Sequence, residues 1–129
     1  MKKDDSMLQH IAVEITDKSK ATLFFSEILG LEKQKSSTLP STLNRTIFGN
    51  EEEVEIEVWS DDRLSLEVFI TGKPVSPSYR HICLAVPDMA AFLEKCTRHK
   101  VPTITAKKGD KEIIFIKDFS GNLYEIKEA

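Results

Sequence analysis

The sequence predicts an α+β fold made of two copies of one strand-helix-strand-strand-strand unit, and three observations predict it. A phrase recurs: His10-Ile11-Ala12-Val13-Glu14-Ile15-Thr16-Asp17 returns 71 positions later as His81-Ile82-Cys83-Leu84-Ala85-Val86-Pro87-Asp88. Residues 53–59 and 64–70 alternate between apolar and polar side chains as far as Val58 and Val68, the period of a strand with two unlike faces. The one convincing linker, residues 72–78 with Pro74 and Pro77, falls in the middle of the chain.

Each element has a local reason. Residues 8–15 are rich in β-branched and apolar side chains and read as the first strand. Asp17 then offers an N-cap, Ala21, Phe24, Phe25, Ile28 and Leu29 follow at helical spacing, and Gly30 is a natural stop. Residues 31–37 read as a second strand. Residues 39–50 are ambiguous: Pro40-Ser41 opens a short helical turn that Gly49-Asn50 would close, an insertion that the second half lacks. The alternating strands 53–59 and 64–70 flank a turn at residues 60–63.

After the linker the order repeats. Residues 79–86 form a strand, and Asp88 caps a helix from Met89 to about Lys100, whose Arg98, His99 and Lys100 favour the helix dipole. Strands follow at residues 101–106, 111–117 and 123–127, separated by turns at Gly109-Asp110 and residues 118–122. Module one thus covers about residues 7–72 and module two about 79–129, in a single domain of 1–129. Two four-stranded sheets set edge to edge would curl into an open, barrel-like cup with helices outside.

With 129 residues the chain can bury a core without disulfides. A net charge of −3 argues against nucleic acid, and Asp110, Glu112 and Asp118 interrupt the lysines of the second half. Cys83 and Cys96 have no CxxC or zinc-ribbon spacing and read as buried thiols. No signal-peptide core and no bilayer-length apolar run occurs, so the expectation is a cytoplasmic protein without membrane partners. Residues 1–6 are polar and expected to fray.

Four side chains carry the candidate chemistry. His10 and His81 open equivalent strands. Glu67 and Glu125 lie in the last strand of each module. Strand parity sets Glu67, with Ser65 and Phe69, opposite Leu64, Leu66, Val68 and Ile70, and sets Glu125 opposite Tyr124 and Ile126. His10 lies opposite Ile11, Val13 and Ile15, and His81 opposite Ile82, Leu84 and Val86. If the bulky apolar faces pack under the helices, all four polar groups point into the cup. Two imidazoles and two carboxylates suit a divalent transition metal with room for water or substrate. Taken singly, each has a plainer reading: a strand-start His on the surface, a Glu on a solvent face. Glu53, Glu55 and Glu57 are read as such a solvent face, and His99 as a surface residue.

These stretches resemble the vicinal oxygen chelate superfamily, which includes glyoxalase I, methylmalonyl-CoA epimerase, extradiol dioxygenases, fosfomycin-resistance enzymes and bleomycin-binding proteins. The resemblance covers nearly the whole chain. It rests on residues 8–13, on Phe24-Phe25-Ser26-Glu27-Ile28-Leu29-Gly30-Leu31, on residues 81–88 and on residues 115–126. The last stretch is similar to the family's Asp-Pro-Asp-Gly-Asn turn before its final Glu ligand, with Phe119 and Ser120 in place of Pro and the second Asp. The resemblance implies paired βαβββ modules with pseudo-twofold symmetry and metal ligands at His10, Glu67, His81 and Glu125. Glu57 is the alternative to Glu67, because the insertion shifts the register.

The ligand pattern looks most like glyoxalase I; the epimerase has Gln in place of the first Glu. The resemblance implies a metal-dependent lyase or isomerase that chelates a small oxygen-rich substrate through an enediolate-like intermediate, with Glu67 or Glu125 moving the proton. The metal could be Ni, Co, Zn, Mn or Fe. Phe69, Arg45 and Arg80 are the candidate substrate contacts. The rivals are a drug-sequestering binding protein of the bleomycin-resistance type, an Fe(II) dioxygenase and a fosfomycin-type thiol transferase. Open sheet edges favour a homodimer, and the modules could pair within a chain or between two.

Overall fold

The computed structural model describes residues 7–129, so the fraying expected of residues 1–6 lies outside the described residues. The chain runs β1 (Ile11–Ile15), α1 (Lys18–Leu23), β2 (Glu32–Leu39), α2 (Ser41–Phe48), β3 (Val54–Ser60), β4 (Ser65–Ile70), β5 (His81–Val86), α3 (Met89–Arg98), β6 (Thr103–Lys108), β7 (Lys111–Lys117) and β8 (Leu123–Glu128). Two four-stranded sheets form, ordered β1-β4-β3-β2 and β5-β8-β7-β6. In each, the first strand runs parallel to the last and the other neighbours are antiparallel. This is the doubled unit expected from the repeat. The two sheets do not close into one barrel.

The repeated Asp residues do what the phrase implied. Asp17 Oδ1 accepts from the Ser19 and Lys20 amides at 2.9 and 3.2 Å, and Asp88 Oδ1 from the Ala91 amide at 3.0 Å. Each satisfies amides that a helix start leaves unpaired. The Ser19 hydroxyl also donates to Asp17, and these bonds hold the Asp17 carboxyl below its ordinary range.

Beyond Leu23 the first helix widens into a π-helical turn, Phe24–Ile28, with the Leu29 amide donating to the Phe24 carbonyl at 3.1 Å. Phe24, Phe25 and Ile28 are all buried there. Gly30 then takes a left-handed φ of 70°, which a side chain would oppose.

One core underlies both sheets. Val13, Ile15, Leu66, Val68 and Trp59 of the first sheet and Val86, Ile114, Ile116, Tyr124 and Ile126 of the second share it with Phe24, Phe25, Phe92 and Cys96 from the helices. Burial pushes the Cys96 thiol pKa up, as expected of an inert buried thiol. Cys83, expected to be buried, is instead exposed. It shares the parity of His81, and that face of β5 is not covered by a helix.

The turn at residues 118–122 ties the modules together. Asp118 is buried and accepts from the Ser120 and Asn122 amides, the Asn122 side chain and the Tyr124 hydroxyl, all between 2.8 and 3.0 Å. From this turn Ser120 Oγ accepts from the Thr16 amide at 2.9 Å, and Asn122 Nδ2 donates to the Glu14 carbonyl at 2.7 Å. The substitution at Ser120 therefore still supplies an acceptor, here aimed at module one.

Burial, with the Asp118 charge beside it, raises the Tyr124 phenol pKa well above its ordinary value, so the hydroxyl remains a donor. Tyr124→Phe should lower the unfolding free energy by about 1.5–3 kcal/mol, the range for a bond to a charged group. Urea unfolding monitored by the Trp59 fluorescence would measure it.

Candidate functional site

The metal-competent residues sit where strand parity placed them, on the sheet faces turned away from the helices. Ala12 pairs with Glu67 across β1 and β4, so His10, two residues before Ala12, projects from the same side as Glu67. His10 Nε2 lies 3.7 Å from Glu67 Oε1. His10 itself stands just ahead of β1 rather than inside it. In the second sheet His81 Nε2 lies 3.4 Å from Glu125 Oε1. The two halves thus repeat one arrangement, an imidazole facing a carboxylate.

His81 is the better oriented of the two. Its Nδ1 lies 2.9 Å from the Tyr79 carbonyl oxygen, and its ring meets Phe115 edge-on with centroids 5.2 Å apart. A proton on Nδ1 donated to that carbonyl leaves the Nε2 lone pair free toward Glu125, the way a metal-binding His is commonly fixed. The pairs stay partly open, with side-chain exposures of 49% and 30% for His10 and Glu67 and 36% and 22% for His81 and Glu125. Imidazole nitrogen and carboxylate oxygen facing each other in a half-open site fit a divalent ion. Each pair alone supplies only half a coordination shell.

The four do not converge within the chain. Among the described residues no three His, Cys, Asp or Glu side chains gather closely enough to hold one ion. The structure therefore divides the expected ligand set into two half-sites.

Glu57 is the main correction. It is fully buried, not part of a solvent face. It pairs with Val68 in register and shares the parity of Trp59, so it points to the helix side of the sheet, opposite Glu67. Its Oε1 accepts from Trp59 Nε1 at 2.9 Å. Lys33 and Lys18 ammonium groups stand 3.5 and 3.8 Å from Oε2, which has no hydrogen bond among the described residues. Geometry thus removes it as the alternative first-module ligand. Glu55, on the same side, is held by Lys18 at 2.6 Å, which lowers the carboxyl and raises the ammonium pKa. Glu57→Gln should leave divalent-metal affinity within about twofold of native. Glu67→Gln should lower it by about tenfold or more, as read by equilibrium dialysis.

A cleft of about 1040 Å³ opens between the modules, lined by Phe69, Leu39 and Val54 on one side and by Arg80, His81, Lys117 and Leu123 on the other. Phe69 and Arg80 thus line the same cleft as His81. Arg45 does not: it lies exposed on α2, its Nε 3.7 Å from Glu51. Sequence reasoning missed Phe48 and Lys117, both of which line the cleft. Parity could have flagged Lys117, which shares a face with Phe115.

The paired strand-helix-strand-strand-strand sheets recur in solved structures. A fosfomycin resistance protein from Listeria monocytogenes, complexed with Mn(II) and a dihydroxypropylphosphonic acid, superposes with a TM-score of 0.74 at 18% identity, covering 95% of this chain and 91% of that one. The chain has the vicinal oxygen chelate fold. Other vicinal oxygen chelate structures agree: a glyoxalase family protein from Enterococcus faecalis gives a TM-score of 0.72 at 20% identity, covering 95% of this chain and 97% of that one. The trypanothione-dependent glyoxalase I of Leishmania major gives 0.71 at 17% identity, covering 92% and 84%. In sequence, the chain is 28% identical over 131 aligned positions to mitochondrial methylmalonyl-CoA epimerase of Mus musculus, spanning 95% of this chain and 72% of the epimerase. The human epimerase is also 28% identical, spanning 95% and 73%. No family model matches the chain. Among the described residues, no helix is long and apolar enough to cross a membrane.

Proposed function

We propose that the chain is a divalent-metal-dependent isomerase that moves a proton at a carbon next to a carbonyl, and that it works as a homodimer. The observation that carries this reading is the pair of His–carboxylate half-sites, His10 with Glu67 and His81 with Glu125, on open sheet faces. A divalent ion held between them would supply Lewis acidity, polarising a carbonyl bound through two adjacent oxygens.

The chain's own groups do the rest. His10 and His81 would hold the ion by Nε2, the latter ring fixed through the Tyr79 carbonyl. For an epimer, one of Glu67 and Glu125 would take the proton from the carbon beside the carbonyl while the other, protonated, would deliver a proton to the opposite face of that carbon. For an isomer with the carbonyl shifted, the first would pass its proton to the neighbouring carbon as the hydroxyl proton moves to the former carbonyl oxygen, so atoms and charge balance in both cases. Arg80 and Lys117 line the cleft beside His81 and suit an anionic substrate group. The epimerase and glyoxalase relatives are named for reactions of this kind, which favours it over ligand sequestration, oxygen chemistry and thiol transfer.

The dimer follows from the divided ligands. An isologous pairing sets the His10–Glu67 face of each chain against the His81–Glu125 face of the other, completing two four-ligand sites. The faces that would meet carry Ile56 and Val58 in one sheet and Phe115 and Ile104 in the other, and Ile104 is 42% exposed in the single chain.

The test is direct. Protein stripped of metal is offered Ni, Co, Zn, Mn or Fe(II) in turn, and uptake is measured by dialysis. Deuterium exchange at the α-carbon of methylmalonyl-CoA and of the glutathione–methylglyoxal adduct is followed by NMR. One ion per pair of half-sites and metal-dependent exchange are expected. Failure to bind any of the ions stoichiometrically would sink the reading, as would unchanged affinity in both His10→Ala and His81→Ala.

A further inference from the structure

The two half-sites are alike in their ligands and unlike in their surroundings. In the first sheet Phe69 stands two residues beyond Glu67 on the same face, opposite Ile56 of β3 and Glu14 of β1. The equivalent place in the second sheet, two residues beyond Glu125, is Lys127. The β2–β3 connection carries α2, whereas β6 and β7 are joined only through Gly109-Asp110.

Helix α2 brings Phe48 onto Phe69. The two rings meet edge to face, centroids 5.6 Å apart and planes at 74°, while Phe48 remains 58% exposed. The position of Phe48 is fixed from both sides. Gly49 ends the helix immediately after it with a φ of 71°, and Asn44, buried on α2, donates from Nδ2 to the Glu52 carbonyl at 2.7 Å. Leu39 and Val54, partners across β2 and β3, continue the apolar surface into the same cleft. Arg80 and Lys117 stand at the His81 end of that cleft.

We propose that α2 is a specificity element. Phe48 and Phe69 form an aromatic wall that selects ligands whose two adjacent oxygens carry an aryl or branched-alkyl substituent. The ligand's oxygens would lie toward the His–carboxylate pairs and its apolar group against the two rings. An aromatic face left half-exposed in a cleft gains contact when a ligand ring covers it, by edge or offset stacking. The proposal rests on the metal-dependent reading for the placement of the oxygens, but not for the wall itself.

Two arms separate the two ideas. In the metal-loaded full chain, titration calorimetry compares acetohydroxamate with benzohydroxamate, which present the same adjacent oxygens. Benzohydroxamate should bind tighter by about tenfold. Phe48→Ala should shrink that ratio to about twofold and leave acetohydroxamate affinity unchanged. In the metal-free chain, NMR follows the Phe48 and Phe69 ring signals with benzoate and with acetate; benzoate alone should shift them. Shifts with benzoate in a chain that takes up no metal would uphold the wall and sink the metal reading. Metal uptake with equal hydroxamate affinities, or a ratio unaltered in Phe48→Ala, overturns the wall and leaves the metal reading standing. Absence of ring shifts in the metal-free chain also counts against it.

Discussion

Mixing His10→Ala chains with His81→Ala chains, then unfolding and refolding them together, should restore about one quarter of the native metal-binding capacity. Each variant alone should bind at least about 100-fold more weakly than native protein, because loss of a ligand costs more than loss of a group that merely orients one. The restoration depends on how the half-sites combine. In a dimer that pairs the first module of one chain with the second module of the other, a mixed dimer has one site lacking both imidazoles. Its other site has both. Half of randomly formed dimers are mixed, and each carries one intact site of two. If the four ligands met within a chain, every site in the mixture would lack one imidazole and nothing would return. Equilibrium dialysis on the refolded mixture decides between them, with the unmixed variants as baselines.

Phe24→Ala should destabilise the chain by about 3–5 kcal/mol, the cost of removing a large aromatic from a packed core. Phe24 is fully buried and belongs to module one, yet its ring lies 5.1 Å from that of Tyr124 and 6.4 Å from that of Phe119 in module two, as well as 5.6 Å from Phe25. Deleting it opens a cavity at the seam where both modules meet. Against a total stability of about 5–15 kcal/mol for a domain, that loss is large. A single unfolding transition displaced to lower urea, by both far-ultraviolet dichroism and Trp59 fluorescence, is the expected result. Two separated transitions would show that the modules unfold independently and that the seam couples them little.

The legible part of the fold is the part written in local periodicity. His10, His81, Glu67 and Glu125 were placed by alternation against apolar faces, and those faces are the buried ones. Asp17 and Asp88 were placed by their distance from a strand. Glu57 was misread for a physical reason. In β3 both faces are covered to some degree, Val54 and Ile56 on one and Trp59 on the other. The apolar residues of that strand therefore do not reveal which side packs under the helix. Cys83 was misread for a related reason: small apolar residues such as Cys83 and Ala85 stand on the open face of β5, so apolar character there does not imply burial. The separation of the four side chains into two pairs was not legible at all. Periodicity fixes which way a side chain leaves its own strand and says nothing about where the other sheet lies. Phe48 escaped because residues 39–50 carry no strong period of their own.

The sheet order has a consequence for how such a chain can change over generations. Half-site residues sit on or beside β1 and β4, at one end of the first sheet, while α2 interrupts the connection between β2 and β3 at the other end. Insertions and replacements can accumulate in that distal connection without shifting the register of the strands that carry His10 and Glu67. A lineage can therefore vary that connection while the strands beside His10 and Glu67 stay in place, and the segment least readable from sequence is the one freest to change.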